Sequence, residues 1–308
     1  MKTIQFYFFS FLFVVSFLSF SVNQSTFAVN LVSGPTTRTW TNVVYASTSA
    51  TQVMDIYLPE GDGPFPVVVL IHGGAFKMGD KSMETRNAEA LVAKGYAAAS
   101  INYRLSGEAK YPAQIQDCKA AVRFLRANAV KFHLNPEKIG SWGASAGGNL
   151  SAMLGTSAGV AELEGASLGN EGVSSKVIAC VDWFGPINFC TMDAEAAALG
   201  FTGRTNSEFS PESKLIGKAV QSAPELVAKA NPTTYISADD AAFFLQVGNM
   251  DRNIPYTQSL NFYEALKPVI GASKVSFELL EGAGHGGPQF SDSSNVAKVI
   301  AFFDKHLK

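Results

Sequence analysis

The chain has 308 residues, of which 47% are hydrophobic and 16% charged, with 24 Lys and Arg against 26 Asp and Glu for a formal charge of −2. The charged share lies below the typical value of about 25%, which excludes a disordered polyelectrolyte, and a near-neutral balance gives no footprint for nucleic acid. The length is compatible with one α/β domain holding a large core.

In chain order, the first feature is a leader. Met1-Lys2 supplies one positive charge, Ile4 to Phe20 is an almost uninterrupted Phe/Leu/Val run, and Thr26-Phe27-Ala28 resembles a small-x-small cleavage site. The reading is a secretory signal peptide cut after Ala28, giving a secreted or periplasmic protein. The alternative is an uncleaved N-terminal membrane anchor with the protein facing outside, because the run approaches the length of a spanning helix. Cleavage would leave 23 basic and 26 acidic side chains, a net −3, so no cationic surface for lipid or phosphate is implied. No membrane insertion is expected once the leader is gone.

Trp40–Tyr45 and Gln52–Leu58 read as short antiparallel strands, followed by the turn-forming run Pro59-Glu60-Gly61-Asp62-Gly63-Pro64. Val67–Ile71 is a continuous apolar, largely β-branched run of the kind buried on both faces. Ala97–Asn102 has similar character after a helix predicted over Ser82–Lys94. Ile115, Cys118, Ala121, Val122 and Leu125 form a helical stripe within Ala113–Ala129, and Ile139–Trp142 is the strand after it. Val177–Phe184, Ala242–Val247 and Val275–Leu280 complete the strands. The remaining helices fall at about Gly147–Gly155, Tyr256–Ile270 and Ser294–Lys308. This β-α-β order predicts a mostly parallel sheet with helices on both faces. Thr156–Lys176 and Pro186–Pro232 interrupt the rhythm. The second is the candidate cap or lid beside a ligand crevice at the strand ends, its alternative being a surface excursion that touches no substrate.

Gly143-Ala144-Ser145-Ala146-Gly147 fits G-x-S-x-G between a predicted strand and a predicted helix, the setting of a nucleophile elbow. A serine hydroxyl needs a base near neutrality, so one of four histidines must serve. His133 and His306 read as surface or packing residues. His285 stands in the glycine-rich loop Gly282–Gly287 after the last strand, and it is the predicted base. The acid that fixes the histidine tautomer is expected between serine and histidine in the chain. Asp251, in the loop after Ala242–Val247, is assigned, with Glu281 as the fallback. Asp182 lies inside an apolar strand, and Asp239 and Asp240 precede theirs. His72-Gly73-Gly74-Ala75-Phe76 follows a strand in the manner of an HGGG-type loop, so Gly74 and Ala75, with Ala146 from the elbow, are the predicted oxyanion donors. His72 is then a loop brace hydrogen-bonded to backbone.

Cys118, Cys180 and Cys190 allow at most one disulfide; Cys180 and Cys190 are read either as that pair or as free thiols. None shows metal-ligand spacing, and neither a metal nor an organic cofactor is expected. The oligomeric state is not legible.

From about Trp40 onward the chain resembles the α/β-hydrolase esterases of the hormone-sensitive-lipase-like group. More narrowly, it is similar to secreted bacterial bifunctional acetylxylan and feruloyl carbohydrate esterases. The matching stretches are His72–Lys81, Ile101–Ser106, Tyr111–Ala129, Trp142–Leu150, Val181–Pro186, Val247–Pro255 and Glu281–Gly286. The resemblance implies an α/β-hydrolase fold, the triad Ser145, Asp251 and His285, and the oxyanion donors Gly74, Ala75 and Ala146. It also implies a small-molecule or polysaccharide-linked ester as substrate, with no nucleic-acid partner. The chain departs from the family pattern where Ala75 replaces the loop's third glycine, where Asn149 stands for a common histidine, and where Gly248-Asn249 stands for a common His-Gly pair. These departures bear on the substrate rather than the chemistry. Arg104 and Asp117 also match, and they read as a buried salt bridge. Trp183, Phe184, Phe189, Phe201 and Phe209 are read either as an aromatic lining of the cap or as core. The expected activity is ester hydrolysis through an acyl-enzyme. A lipase or a formamidase-like amide hydrolase on the same fold is the alternative, and a non-catalytic binding protein the remote one.

Overall fold

A computed structural model describes residues 38–308, so the signal-peptide reading of residues 1–28 lies outside the described residues. Chain order is β1 (Arg38–Val44), β2 (Val53–Leu58), β3 (Phe65–Ile71), α1 (Thr85–Val92), β4 (Ala97–Ile101), α2 (Ala113–Ala127), β5 (Leu134–Ala144) and α3 (Ala146–Thr156). Then come α4 (Ala161–Glu164), β6 (Ala179–Trp183), α5 (Met192–Ala198), α6 (Pro211–Ile216), α7 (Pro224–Lys229), β7 (Ala242–Gly248), α8 (Tyr256–Ile270), β8 (Val275–Leu280), α9 (Pro288–Ser291) and α10 (Ser293–Leu307). Among the described residues the strands form one eight-stranded sheet in the order β1-β2-β4-β3-β5-β6-β7-β8. β2 runs antiparallel to both β1 and β4, and every pairing from β4 to β8 is parallel.

The β-branched run of β3 is explained by its place between β4 and β5. Val67, Val69 and Ile71 enter the core under α2, α3 and α8, while Val68 and Leu70 enter the opposite core under α1 and α10. A strand covered on both faces by helices has no polar side to alternate with. This is the α/β-hydrolase architecture expected from the sequence. Two boundaries differ from expectation by more than two residues. The Ser82–Lys94 helix divides into a 3₁₀ turn at Lys81–Glu84, capped by the Asp80 carboxylate accepting from Ser82 N–H, and the eight residues of α1. β5 begins at Leu134 rather than Ile139 because Leu134 pairs with Phe65 ahead of a register shift.

The two interrupting stretches have different fates. In the first, the Glu164 carboxylate accepts from Lys119 Nζ (2.7 Å), Ser175 Oγ (2.9 Å) and Gly159 N–H (2.9 Å), which ties the stretch to α2. The second carries α5, α6 and α7 without a strand, and its residues reach the C-terminal ends of the central strands.

Candidate active site

The elbow joins β5 to α3 within one residue. Ser145 sits at φ 57°, ψ −122°, a conformation that costs a non-glycine residue energy and persists only where its surroundings fix it. Two backbone hydrogen bonds do so here: Ser145 N–H donates to Trp183 O (2.8 Å) and Asn149 N–H to Ser145 O (3.1 Å). The flanking glycines are steric requirements. A Cβ on Gly143 would stand 2.1 Å from Gly147 O, and one on Gly147 would stand 2.0 Å from Ile71 O. α3 can therefore start hard against β3 only with glycine at both places.

Asp251 and His285, the predicted acid and base, come from neighbouring loops at the ends of β7 and β8. Gly248 lets those loops close up, since a Cβ there would be 2.2 Å from Ala283 O, and Met250 N–H donates to Ala283 O at 2.9 Å. Asn249, second of the two residues that stand for the family's common His-Gly pair, uses its Oδ1 to accept from Gly282 N–H at 2.8 Å and so helps hold the same junction. The Asp251 side chain is fully buried, and its Oδ1 accepts from the N–H groups of Asn253 (2.8 Å) and Ile254 (2.9 Å). Its Oδ2 is left for His285 Nδ1 at 2.7 Å, and His285 Nε2 lies 2.9 Å from Ser145 Oγ. With Nδ1 protonated toward Asp251, Nε2 is free to accept the hydroxyl proton. The structure thus brings together all three residues singled out from the sequence, while Glu281, the fallback acid, is exposed.

Ala75 and Ala146 line the cleft beside Ser145, with Gly74 one residue behind. Among the described residues, no acceptor is found for the N–H of Gly74 or Ala75, and Ala146 is the first residue of α3, where the N–H has no intrahelical partner. The loop holds unusual backbone, with φ 110° at Gly74, 55° at Ala75 and 58° at Phe76. His72 braces it as expected. Its Nδ1 lies 2.7 Å from Gly73 O, and its ring stacks on Tyr103 at 4.4 Å. Burial lowers the His72 pKa, keeping the imidazole neutral.

The cleft has a volume of about 640 Å³ and reaches from Ser145 and His285 to the insertion, where Met192, Ala196, Phe201, Arg204 and Glu212 form a wall. The five aromatics divide between the two readings and the outer surface. Trp183, Phe184 and Phe189 are core residues, and Phe209 is exposed on the outside with Lys214 Nζ 5.0 Å above its ring. Phe201 is the one aromatic of the five that lines the cleft. Trp183 ends β6, a strand buried along its whole length, so the sheet determines where it points, and Phe184 follows in the turn at φ 44°.

Phe184 supports the site in a way the sequence did not signal. It sits at φ 44°, its ring meets His285 edge-to-face at 4.8 Å and Phe290 at 4.6 Å, and Gly185 N–H closes the turn onto Asp182 Oδ1 at 2.7 Å. Asp182 is fully buried behind the elbow, its Oδ2 has no partner among the described residues, and burial pushes its pKa up to about 7. Asn149, where a histidine is common, hydrogen-bonds Pro186 O (2.8 Å) and Ala230 O (3.3 Å), joining the elbow helix to both ends of the insertion. Arg104 and Asp117 form the expected buried pair (2.7 Å), and Asp117 also accepts from Arg104 N–H and Gln52. All three cysteines are free: Cys180 is buried beside Ser141, and Cys190 faces Val220 O.

The family model described as BD-FAE matches residues 54–266, a span from β2 through most of α8 that includes the elbow and Asp251. The chain belongs to the BD-FAE family. Beyond this BD-FAE match, it is 30% identical over 226 residues to Esterase LipC of Mycobacterium tuberculosis, covering 72% of this chain and 53% of that protein. The chain thus spans about half the length of the curated relatives it matches. Among solved structures, a truncated carbohydrate esterase from gut microbiota superposes with a TM-score of 0.79 at 35% identity, covering 87% of this chain and 95% of its own. A bifunctional GH43-CE protein of Bacteroides eggerthii superposes at 0.77 with 36% identity, covering 87% of this chain and 35% of that one. These neighbours share the α/β-hydrolase fold of this BD-FAE chain.

Proposed function

We propose that this protein is a serine carboxylic-ester hydrolase acting through an acyl-enzyme on short-chain or carbohydrate-linked esters, with acetyl and feruloyl groups as the leading acyl candidates. The observation that carries the reading is the unbroken relay from Asp251 Oδ2 through His285 to Ser145 Oγ, with contacts of 2.7 and 2.9 Å. Ser145 Oγ attacks the ester carbonyl as His285 Nε2 takes its proton. The N–H groups of Gly74, Ala75 and Ala146 receive the oxyanion. The imidazolium, stabilised by Asp251, gives its proton to the departing alcohol, and water then repeats the sequence to release the acid. The methyl group of Ala75 narrows the acyl side without removing its N–H. The carbohydrate part of the reading is supported by the 35% identity to a gut-microbiota carbohydrate esterase over nearly all of that chain. An exported location, through the leader ending at Ala28, belongs to the same proposal.

Turnover of 4-nitrophenyl acetate, acetylated xylan and methyl ferulate, compared with long-chain 4-nitrophenyl esters and with matched anilides, tests the reading. Ser145→Ala should abolish ester turnover with the circular dichroism spectrum and melting profile retained. A wild type that favours long acyl chains points instead to a lipase, and preference for the anilides to an amide hydrolase.

A further inference from the structure

The charged side chains lining the cleft are two acids and two arginines, and they differ in how far the protein already engages them. Asp193 is occupied, its carboxylate accepting from the N–H groups of Thr205 (2.7 Å) and Asn206 (3.0 Å). Glu212 is only 8% exposed, and burial, reinforced by nearby Asp193, raises its pKa toward the neutral form against the opposing influence of Lys77. Arg204 and Arg252 also line the cleft, and both are exposed. Among the described residues neither guanidinium takes part in a salt bridge. Arg252 does lie over the Phe201 ring, 5.5 Å from its centre. The cleft leading to the serine therefore presents two exposed guanidinium groups that have no salt-bridge partner among the described residues, beside one flat apolar face.

We propose that Arg204 and Arg252 form an anion-recognising subsite and that the preferred substrate is an ester whose alcohol portion carries a carboxylate. This inference rests on the serine-esterase reading of the site. Guanidinium groups are the natural partners of carboxylates, through charge and through paired N–H donors, and an unpaired arginine gives up no existing ion pair when a ligand arrives. The alcohol side is favoured by the direction of proton flow. The leaving oxygen must take its proton from His285 Nε2, so the alcohol lies on the base side of the cleft. Arg252 is carried by the loop that holds Asp251, the partner of that base. Phe201 and Arg204 come from the insertion wall, so the subsite joins two segments widely separated in the chain. A sugar acid, or an aromatic acid lying on the Phe201 face, satisfies both features.

The test compares two pairs of esters. 4-Acetoxybenzoate and its methyl ester differ by one charge on the alcohol side. Mono-4-nitrophenyl succinate and its methyl ester differ by one charge on the acyl side. The measured quantity is the ratio of kcat/KM for the charged member to that for the neutral member, so that differences in intrinsic reactivity cancel between wild type and variant. For the alcohol-side pair, Arg204→Gln and Arg252→Gln should each lower this ratio about fivefold, and the double variant by more than about tenfold. The wild-type ratio should also fall between about 0.05 and 0.5 M NaCl, a response the double variant lacks. The double Arg→Lys variant should keep a ratio well above that of the Gln variant. A double Gln variant whose ratio stays within about twofold of wild type overturns the subsite, as does a change confined to the acyl-side pair. Failure of the wild type to hydrolyse any of the four esters would overturn the esterase reading and this proposal together, which separates the two failures.

Discussion

Asp251→Asn is the sharpest probe of the relay. Oδ1 of Asp251 is committed to two backbone N–H donors at 2.8 and 2.9 Å, so the amide oxygen of the variant must occupy that position. The amide nitrogen then replaces Oδ2 and points one of its hydrogens at His285 Nδ1 across 2.7 Å. A donor facing a donor is untenable, so the imidazole shifts its proton to Nε2, where it donates to Ser145 Oγ instead of accepting from it. The serine keeps its position and loses its base. A wrong tautomer of this kind costs about 10⁴ in turnover in a serine-protease triad, and 10⁴ corresponds to about 5.4 kcal/mol of barrier at about 1.36 kcal/mol per decade. Asp251→Ala would be a poorer probe, because it leaves two buried N–H groups unpaired at roughly 1–3 kcal/mol each and mixes instability with chemistry. The assay is steady-state hydrolysis of 4-nitrophenyl acetate at fixed pH, with the melting curve measured on the same preparation. The expected result is a kcat lower by about three to four orders of magnitude, with KM and the melting midpoint little changed. A variant within tenfold of wild type in kcat, or one whose loss lies wholly in KM, would refute the assignment of Asp251 as the group that sets the His285 tautomer.

Two further perturbations test the scaffold around the relay. Gly147→Ala places a methyl group 2.0 Å from the Ile71 carbonyl, so the elbow helix must move off β3; a loss of at least about 2–3 kcal/mol in urea unfolding is expected, with activity falling too. An unchanged unfolding midpoint would count against that close approach. Asp182 provides a pH signature. Its pKa in the folded protein, about 7 against 3.8 for the free side chain, means that between these values the native state holds a proton the unfolded chain has released. Stability must therefore fall as pH rises from about 4 to about 7, by about 4 kcal/mol in all. Asp182→Asn keeps Oδ1 for the Gly185 N–H and removes the titration. The stability difference between variant and wild type should shift in favour of the variant by a few kcal/mol from pH 4 to pH 8, in denaturant melts at a series of pH values. A difference that does not vary with pH would place an ionised carboxylate behind the elbow.

Much of the architecture was legible because the relevant signals are local. Val67–Ile71 reports burial on both faces in its composition. Gly143, Ser145 and Gly147 report a turn too tight for side chains, and the spacing of Ile115, Cys118, Val122 and Leu125 reports a helix. Each pattern lies within a few residues and is dictated by periodicity or by the volume beside a single backbone. The family motifs extended that reading to the acid and the base. Aromatic residues in and before the insertion were ambiguous because composition does not distinguish a side chain facing a core from one facing a cleft. Strand β6 made that choice for Trp183, and the turn after it sent Phe184 inward against His285. The three cysteines were ambiguous for a similar reason, since the separation of Cys180 from Cys190 along the chain says nothing about their environments.

Sequence alone determined the order of the elements, the strained serine turn and the short roster of residues from which the proposed acyl-transfer site is drawn. The tertiary structure decided how Ser145 and His285, 140 residues apart, come within 2.9 Å, which carboxylate oxygen faces the imidazole, and which arginines line the cleft. The physical reason is that a strand or a helix is specified by its own neighbours, whereas the meeting of loops from β5, β7 and β8 depends on the register of a parallel sheet. That register is set by the packing of both faces at once.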